Sequence, residues 1–297
     1  MASQLLMNAI IAASVYSLMA ISFGLIYSTV RFFHFAHGVV FAIAPYCAFL
    51  FHVQLGWPLA PSVAMGVLAS ACAGAMCDLC VYRPLRRKKA SPLILLIASL
   101  GIYVTLQNLI SLVCGDDTKT MQFGVVQEGV NVLGAHVTPL QMTTIGISVA
   151  LVIALTAFLK ATRIGLRIRA VANDPQLAAC SGISSDQVIL WTFLIGSTLA
   201  GVGGILASLD TDMTPTMGMN ALLMGIVAVI IGGTGSLPGA VIGALLLAII
   251  QQFGIWRIGS QWQDAIAFAV LLVFLLWRPD GIFGKHLKGF WGEALCK

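Results

Sequence analysis

The sequence predicts an all-α integral membrane protein, a polytopic helical bundle of about eight or nine spans with broken or half helices. Three observations carry that expectation. Of 297 residues, 59% are hydrophobic and only 9% charged, with a mean hydropathy of +0.97. A soluble domain carries roughly 25% charged residues, so this chain lacks the charge to cover a water-facing surface. Its apolar residues fall in runs of helix length, and at 1.5 Å per residue about 20 of them cross a core of about 30 Å. Glycine is abundant, at 30 residues, as expected where helices pack closely in lipid or break partway across.

In order, the first span covers Leu5 to Thr29 and ends at Arg31. Met1 to Asn8 has no basic region and the apolar stretch is too long for a cleaved signal, so it reads as a retained span. The second span is Phe33 to Val53. The third, Leu59 to Tyr82, ends in Arg83, Arg86, Arg87, Lys88 and Lys89. The fourth is Leu93 to Val113. Residues 114–138 form a polar, Gly-rich loop with Asp116, Asp117 and Glu128, and the alternation from Gly124 to Val132 allows a small hairpin. The fifth span is Leu140 to Leu159, followed by a basic loop over 160–188. The sixth is Val188 to Leu209. Ala221 to Ile231 is a short seventh piece, stopped by Gly232-Gly-Thr-Gly-Ser-Leu-Pro-Gly239. Ala240 to Ile255 and Ala265 to Trp277 complete the set.

The chain therefore reads as one transmembrane domain over 1–297. Lys and Arg favour the cytoplasmic side. Placing the loops after the first, third, fifth and last spans there accounts for all of the 16 basic residues except Lys119 and Arg257. That version puts the N-terminus outside, the C-terminus in the cytoplasm and residues 114–138 outside, and it needs an odd number of crossings. If the short seventh piece is a re-entrant hairpin instead, there are eight crossings and the N-terminus moves inside. Basic residues in such a chain report orientation, so the net charge of +5 does not suggest nucleic acid. The seven cysteines, including Cys77 and Cys80, read as packing residues rather than a redox or metal pair.

Several stretches interrupt the apolar pattern. Gly232, Gly233, Gly235 and Ser236 break the chain between two apolar pieces. The break is either a tight turn at the surface or a gap at membrane depth that offers backbone groups to a solute. Tyr27 lies one turn before Arg31 and suits an interface anchor; with His34, His37, Gly38, Gln107, Asn108, Gly232, Gly233, Gly235 and Ser236 it is a candidate for lining a solute path. His34, His37 and Gly38 suit a helix start, with the imidazoles bonded to backbone or water; no further ligand completes a metal site. Gln107 and Asn108 are polar within the fourth span and either bond between helices or face a path. Asp78 is the carboxylate deepest in a span, and intramembrane acids are functional suspects; pairing with Arg83 is the plainer account.

The 160–188 loop is the most structured of these. Arg163 and Arg167 are four apart, as are Arg169 and Asn173. Asp174 followed by Pro175 is a helix-start signal, and Gly182 a stop. A basic helix, a capped break and a second short helix suit docking against a soluble partner. The plainer alternative is a loop held by anionic membrane lipid.

Together these residues resemble the LivH/LivM family, the permeases of branched-chain amino acid ABC transporters, and more closely the LivH type. The resemblance covers nearly all of the chain. It rests on Gly24-Leu-Ile-Tyr27, Phe35-Ala-His-Gly38, Tyr82-Arg-Pro-Leu-Arg86, Pro92 through Asn108, Gly165-Leu-Arg-Ile-Arg-Ala-Val-Ala172, Ala178-Ala179, Gly182-Ile183, Gly232 through Gly243, and Arg278 through Gly284. It implies that Gly165, Arg167, Arg169, Ala170, Asn173, Asp174, Ala178 and Gly182 belong to a cytoplasmic coupling element that contacts an ATPase. It implies as partners a second permease of similar fold, favouring a heterodimer, two ABC ATPases and a periplasmic solute-binding protein, all at a bacterial inner membrane. The chain departs from the family at His34, where Asn is usual, and at Val39 and Val40, where an acid is usual. Urea, short amides and other amino acids are therefore alternative solutes.

The chain has no phosphate-binding glycine loop, because Gly284-Lys285 is followed by His286. It is expected to bind no cofactor, with ATP held by the partner subunits. No catalytic set is assigned. A stand-alone secondary carrier would have to use Asp78, and an intramembrane enzyme would rest on His34, His37 and Asp78 alone.

Overall fold

The computed structural model describes residues 1–121, 129–132, 134–278 and 280–283. The described residues form twelve α-helices, two of them continued by π-helical turns at Leu50–Gln54 and Cys77–Tyr82, a short 3-10 turn at Ser260–Trp262 and one small hairpin. Eight helices are long and apolar enough to cross a membrane, and a ninth is shorter.

The first, α1 (Ala2–Val30), runs through the centre of the bundle and ends where Arg31 turns left-handed at φ 57°. After a bend over 32–35 the chain enters α2 (Ala36–Phe49), which is buried almost throughout. Next come α3 (Leu59–Met76) and, after the π-helical turns Cys77–Tyr82, the short α4 (Arg83–Arg87). Pro92 then opens α5 (Pro92–Cys114), capped by Ser91. A full capping box opens α6 (Pro139–Ala161): Thr138 accepts from Gln141 N–H, and the Gln141 side chain answers Thr138 N–H. Two short helices, α7 (Arg163–Asn173) and α8 (Pro175–Cys180), fill the basic loop. The chain closes with α9 (Ser185–Asp210), α10 (Met217–Gly232), α11 (Leu237–Ile258) and α12 (Gln263–Trp277).

The sequence-read hairpin lies further along than its alternation suggested. Strands β1 (Val130–Val132) and β2 (Ala135–Val137) pair antiparallel, with Val130 opposite Val137 and a turn at Gly134. Residues 124–128 of the expected hairpin, Glu128 among them, lie outside the described residues.

Contacts between loops sort the helix ends into two layers. At one end Ser3 bonds the carbonyl of Gly134, Gln4 bonds His136, Gln141 bonds Asp210, and Lys119 bridges Met213. At the other end lie Arg31, α4, α7 and α8. There Arg83 meets Asp186, and Ile282 and Phe283 donate their N–H groups to Ile231 and Gly232. The N-terminus and the described end of the chain thus lie at opposite ends, which requires an odd number of passages. Helix α10 supplies the ninth: it is 16 residues long rather than the 11 or so read from sequence. Residues 211–216 complete its crossing.

The packing has an inverted repeat. After α1 come a bend, then α2, α3 and α5; after α9 come a bend, then α10, α11 and α12, all in the opposite direction. The pairings correspond, since α1 packs on α10 and α11 as α9 packs on α2 and α3. At the centre, Gly38 of α2 and Gly218 of α10 pack backbone to backbone. A Cβ on Gly38 would lie 2.8 Å from the Gly218 oxygen, and one on Gly218 would strike the Gly38 carbonyl. Nearby, Gly203 packs against Phe41 and Leu18, the latter near the middle of α1. Both helices, α2 with its π-helical continuation Leu50–Gln54 and the shorter α10, therefore begin near the middle of the bundle.

Candidate solute path and coupling element

The bend over 31–35 leaves backbone groups without helical partners inside an apolar bundle, where each unmade bond is costly. One side chain from α5 bonds the backbone there, and two others hold the imidazoles. Ser99 of α5, fully buried, accepts from Phe35 N–H at 3.2 Å, and its hydroxyl proton is shared between the Leu96 carbonyl at 2.8 Å and that of Phe33 at 3.3 Å. His34, also fully buried, has Nδ1 3.0 Å from the Tyr82 hydroxyl at the end of the π turns. His37, equally buried, has Nε2 2.8 Å from Ser22 Oγ of α1. The imidazoles thus bond to side chains, not to backbone or water as the sequence suggested. Their other nitrogens, His34 Nε2 and His37 Nδ1, have no hydrogen-bond partner. Phe32, Tyr82 and Phe193 enclose His34, with the Tyr82 and Phe193 rings centred 5.2 and 5.1 Å away. Among the described residues no group of three or more His, Cys, Asp or Glu is placed to hold a metal.

The other sequence-read path residues do not converge on these histidines. Tyr27 is half-buried and packs on Phe23 and Phe33, whose ring centres lie 6.0 and 5.2 Å away, so it braces the bend. Gln107 is half-buried on α5. Asn108 is exposed, and its amide returns to the Val104 carbonyl at 2.7 Å. Gly232, Gly233, Gly235 and Ser236 form a turn at the same end of the bundle as Arg31, not a gap at mid-depth. Gly233 and Gly235 take positive φ of 101° and 96°, and Ser236 caps α11 by accepting from Gly239 N–H at 3.1 Å. The gaps at depth precede α2 and α10 instead. In sequence the second of these is Asp210 to Thr216, whose polarity signals it, although the length of α10 was hidden by Met217 to Asn220.

Asp78 is fully buried and pairs with Arg86, at 2.7 Å, rather than with Arg83. Arg83 and Arg87 instead share Asp186 in the first turn of α9, at 3.1 and 3.2 Å. Sequence reading had overlooked Asp186, because its partners lie a hundred residues away.

The basic loop is ordered as its residues suggested. Thr162 caps α7 by accepting from Gly165 N–H at 3.0 Å. Gly165, Ile168 and Val171 form the buried stripe of α7, while Arg163, Arg167 and Arg169 face outward. A Cβ on Gly165 would lie 2.5 Å from the Leu159 Cα, so only glycine lets α7 fold back so tightly on α6. Asn173 ends α7. Asp174 then caps α8, its Oδ1 accepting from the N–H groups of Gln176 and Leu177 at 2.8 and 3.0 Å. The far end closes as a Schellman motif: Ile183 N–H bonds the Ala178 carbonyl and Gly182 N–H that of Ala179, with Gly182 at φ 78°. Ala178 is buried and Ala170 half-buried on the bundle side.

Two features of this element escaped the sequence reading. Leu166 and Leu177 project outward, 59% and 65% exposed, beside the arginines. Arg31 reaches across from the bend and donates from Nη2 to the Ala172 carbonyl in the last turn of α7. The element is therefore tied directly to the bend that starts α2.

Comparison with known proteins gives a consistent picture. Residues 5–275 match the family described as branched-chain amino acid transport system, permease component. The chain is 32% identical to the high-affinity branched-chain amino acid transport system permease protein LivH of Escherichia coli K12, over 95% of each chain. It is also 32% identical to BraD of Pseudomonas aeruginosa, a protein of the same description, again over 95% of each. Among solved structures, it superposes on a chain of PsaBC from Streptococcus pneumoniae in complex with Fab, with a TM-score of 0.53 over 90% of both chains. The identity there is 14%, so that likeness concerns the fold alone.

Proposed function

The chain belongs to the family of branched-chain amino acid transport permease components, and from that premise we propose that it forms half of the translocation path of an ATP-driven importer for branched-chain or related amino acids. The other half is a second permease of similar fold, in a heterodimer. Two separate ATPases supply the force and a periplasmic binding protein delivers the solute. On this reading the end bearing Arg31, α4 and α7–α8 is the cytoplasmic one, and the C-terminus is cytoplasmic too.

The observation that carries this reading is the α7–α8 element. It is capped at three points, seated by an apolar stripe, and presents Leu166, Leu177 and arginines outward. A loop serving only to join two spans needs none of these. Pressed from outside, α7 moves as a body, and Arg31 passes that motion to the bend that opens α2. Since α2 and α10 start together at Gly38 and Gly218, the displacement reaches both halves of the inverted repeat. Alternating access about the mid-depth crossing follows from that linkage. A self-contained ion-driven carrier is less well supported, because Asp78, its only candidate carboxylate, is taken up by Arg86.

Deleting 173–182 tests the reading. Uptake of labelled leucine, isoleucine or valine into proteoliposomes holding the complete transporter should vanish, while the chain still inserts. Retained uptake would refute the coupling role. Uptake of urea or a short amide in place of those amino acids would keep the machinery and change the solute.

A further inference from the structure

Where α3 passes through its π turns into α4, the chain gathers Arg83, Arg86, Arg87, Lys88 and Lys89 within seven residues. Two carboxylates answer them. Asp78 takes Arg86. Asp186 takes Arg83 Nε at 3.1 Å and Arg87 Nη2 at 3.2 Å on one oxygen, with Arg86 Nη2 3.8 Å from the other. Five cations against two carboxylates leave a surplus of positive charge. Among the described residues, no hydrogen bond or ion pair engages the Lys88 ammonium, the terminal nitrogens of Arg83 or Nη1 of Arg87.

These unengaged donors lie together. Arg83, Arg87 and Lys88, with Leu79 and Pro84, wall an open cavity of about 510 Å³. Leu79, one turn before Arg83, is 42% exposed on the outside of the bundle. The cavity thus has an apolar wall on the membrane side and a cationic one where the helix leaves it. Asp186 already holds Arg83 and Arg87 in place, so little side-chain freedom is lost when an anion arrives. Arginine forks and a lysine ammonium match phosphate oxygens.

We propose that this cavity binds a phosphate-bearing anionic headgroup, that of an anionic phospholipid from the leaflet on that side. A dissolved phosphate would satisfy only the cations, whereas a diacyl lipid also covers Leu79. The bound headgroup lies beside Asp186, four residues after the Gly182 stop of the coupling element.

Native mass spectrometry tests this on the chain in its transporter complex, released from vesicles of equal phosphatidylglycerol and phosphatidylcholine. Wild type should retain phosphatidylglycerol preferentially. Lys88→Glu, at an exposed side chain, should cut that preference about tenfold, and Arg87→Gln should weaken it further. The control Lys160→Glu reverses a charge at the same end of the bundle but outside the cavity, and should leave the preference intact. Equal retention by wild type and Lys88→Glu would overturn the site. So would an equal loss in Lys160→Glu, which would assign the effect to diffuse surface charge. Saturable binding of inorganic phosphate without any lipid preference would overturn the lipid as its source.

Discussion

Single atoms decide the centre of this molecule. A methyl group at Gly218 would strike the Gly38 carbonyl, and both neighbours are backbone. Neither can swing aside as a side chain would. Gly218→Ala should therefore lower stability by about 1–3 kcal/mol as overpacking does, read as a lower melting temperature in detergent, and Gly218→Leu should leave little folded protein. Tyr82→Phe is a milder test. It keeps the ring that packs on His34 and Phe193 but removes the hydroxyl bonded to His34 Nδ1. Leaving that nitrogen buried and unpaired should cost about 1–3 kcal/mol. The sequence shows His34 and His37 as an uncommon polar pair, and their burial follows from the apolar residues around them. Their partners Ser22 and Tyr82 are ordinary residues on two other helices, and nothing local marks them.

At the scale of the element, α7 and α8 were legible almost residue by residue. Their signals are local: Arg163 and Arg167 four apart, Asp174 before Pro175, and Gly182 after a short run. Asp174→Ala removes two backbone hydrogen bonds at the start of α8 and should cost that helix about 1 kcal/mol. The expected readout is a fall in solute-stimulated ATP hydrolysis by the assembled transporter, with insertion unchanged. Arg31→Ala tests the link from α7 to the bend. ATPase subunits should still co-purify with the variant while uptake falls at least several-fold; uptake at the wild-type rate would rule out Arg31 as the transmitting residue. The turn at Gly232–Gly239 was harder to place. Glycines in sequence mark a break but not its depth, and only the length of α10 and its packing against α11 put this one at the end of the bundle.

For the whole molecule, nearly every span and its order could be read from hydropathy, because lipid demands long apolar helices. The count stayed open at one point, since α10 begins with Met217-Gly-Met-Asn220 directly after a polar stretch. The inverted repeat was invisible, because its halves share packing and direction but no obvious spacing of residues. An odd number of passages is directly testable. Single cysteines placed near Met1 and near Asp280, in a chain otherwise stripped of cysteine, should react with an impermeant thiol reagent from opposite sides of sealed vesicles. Labelling from one side alone would require an even count.

Helix α6 has no counterpart in the repeat, and its position between the halves acquires a meaning during synthesis. It contributes one extra passage, and one passage is what turns the second set of four helices upside down relative to the first. It acts as a parity element: with α6 in place, the start of α9 and the end of α3 emerge together, so that Asp186 can meet Arg83. A chain that skipped α6 as it left the ribosome would present α7 and α8 on the opposite face of the membrane, with their caps and apolar stripe intact but away from the ATPases proposed to drive them.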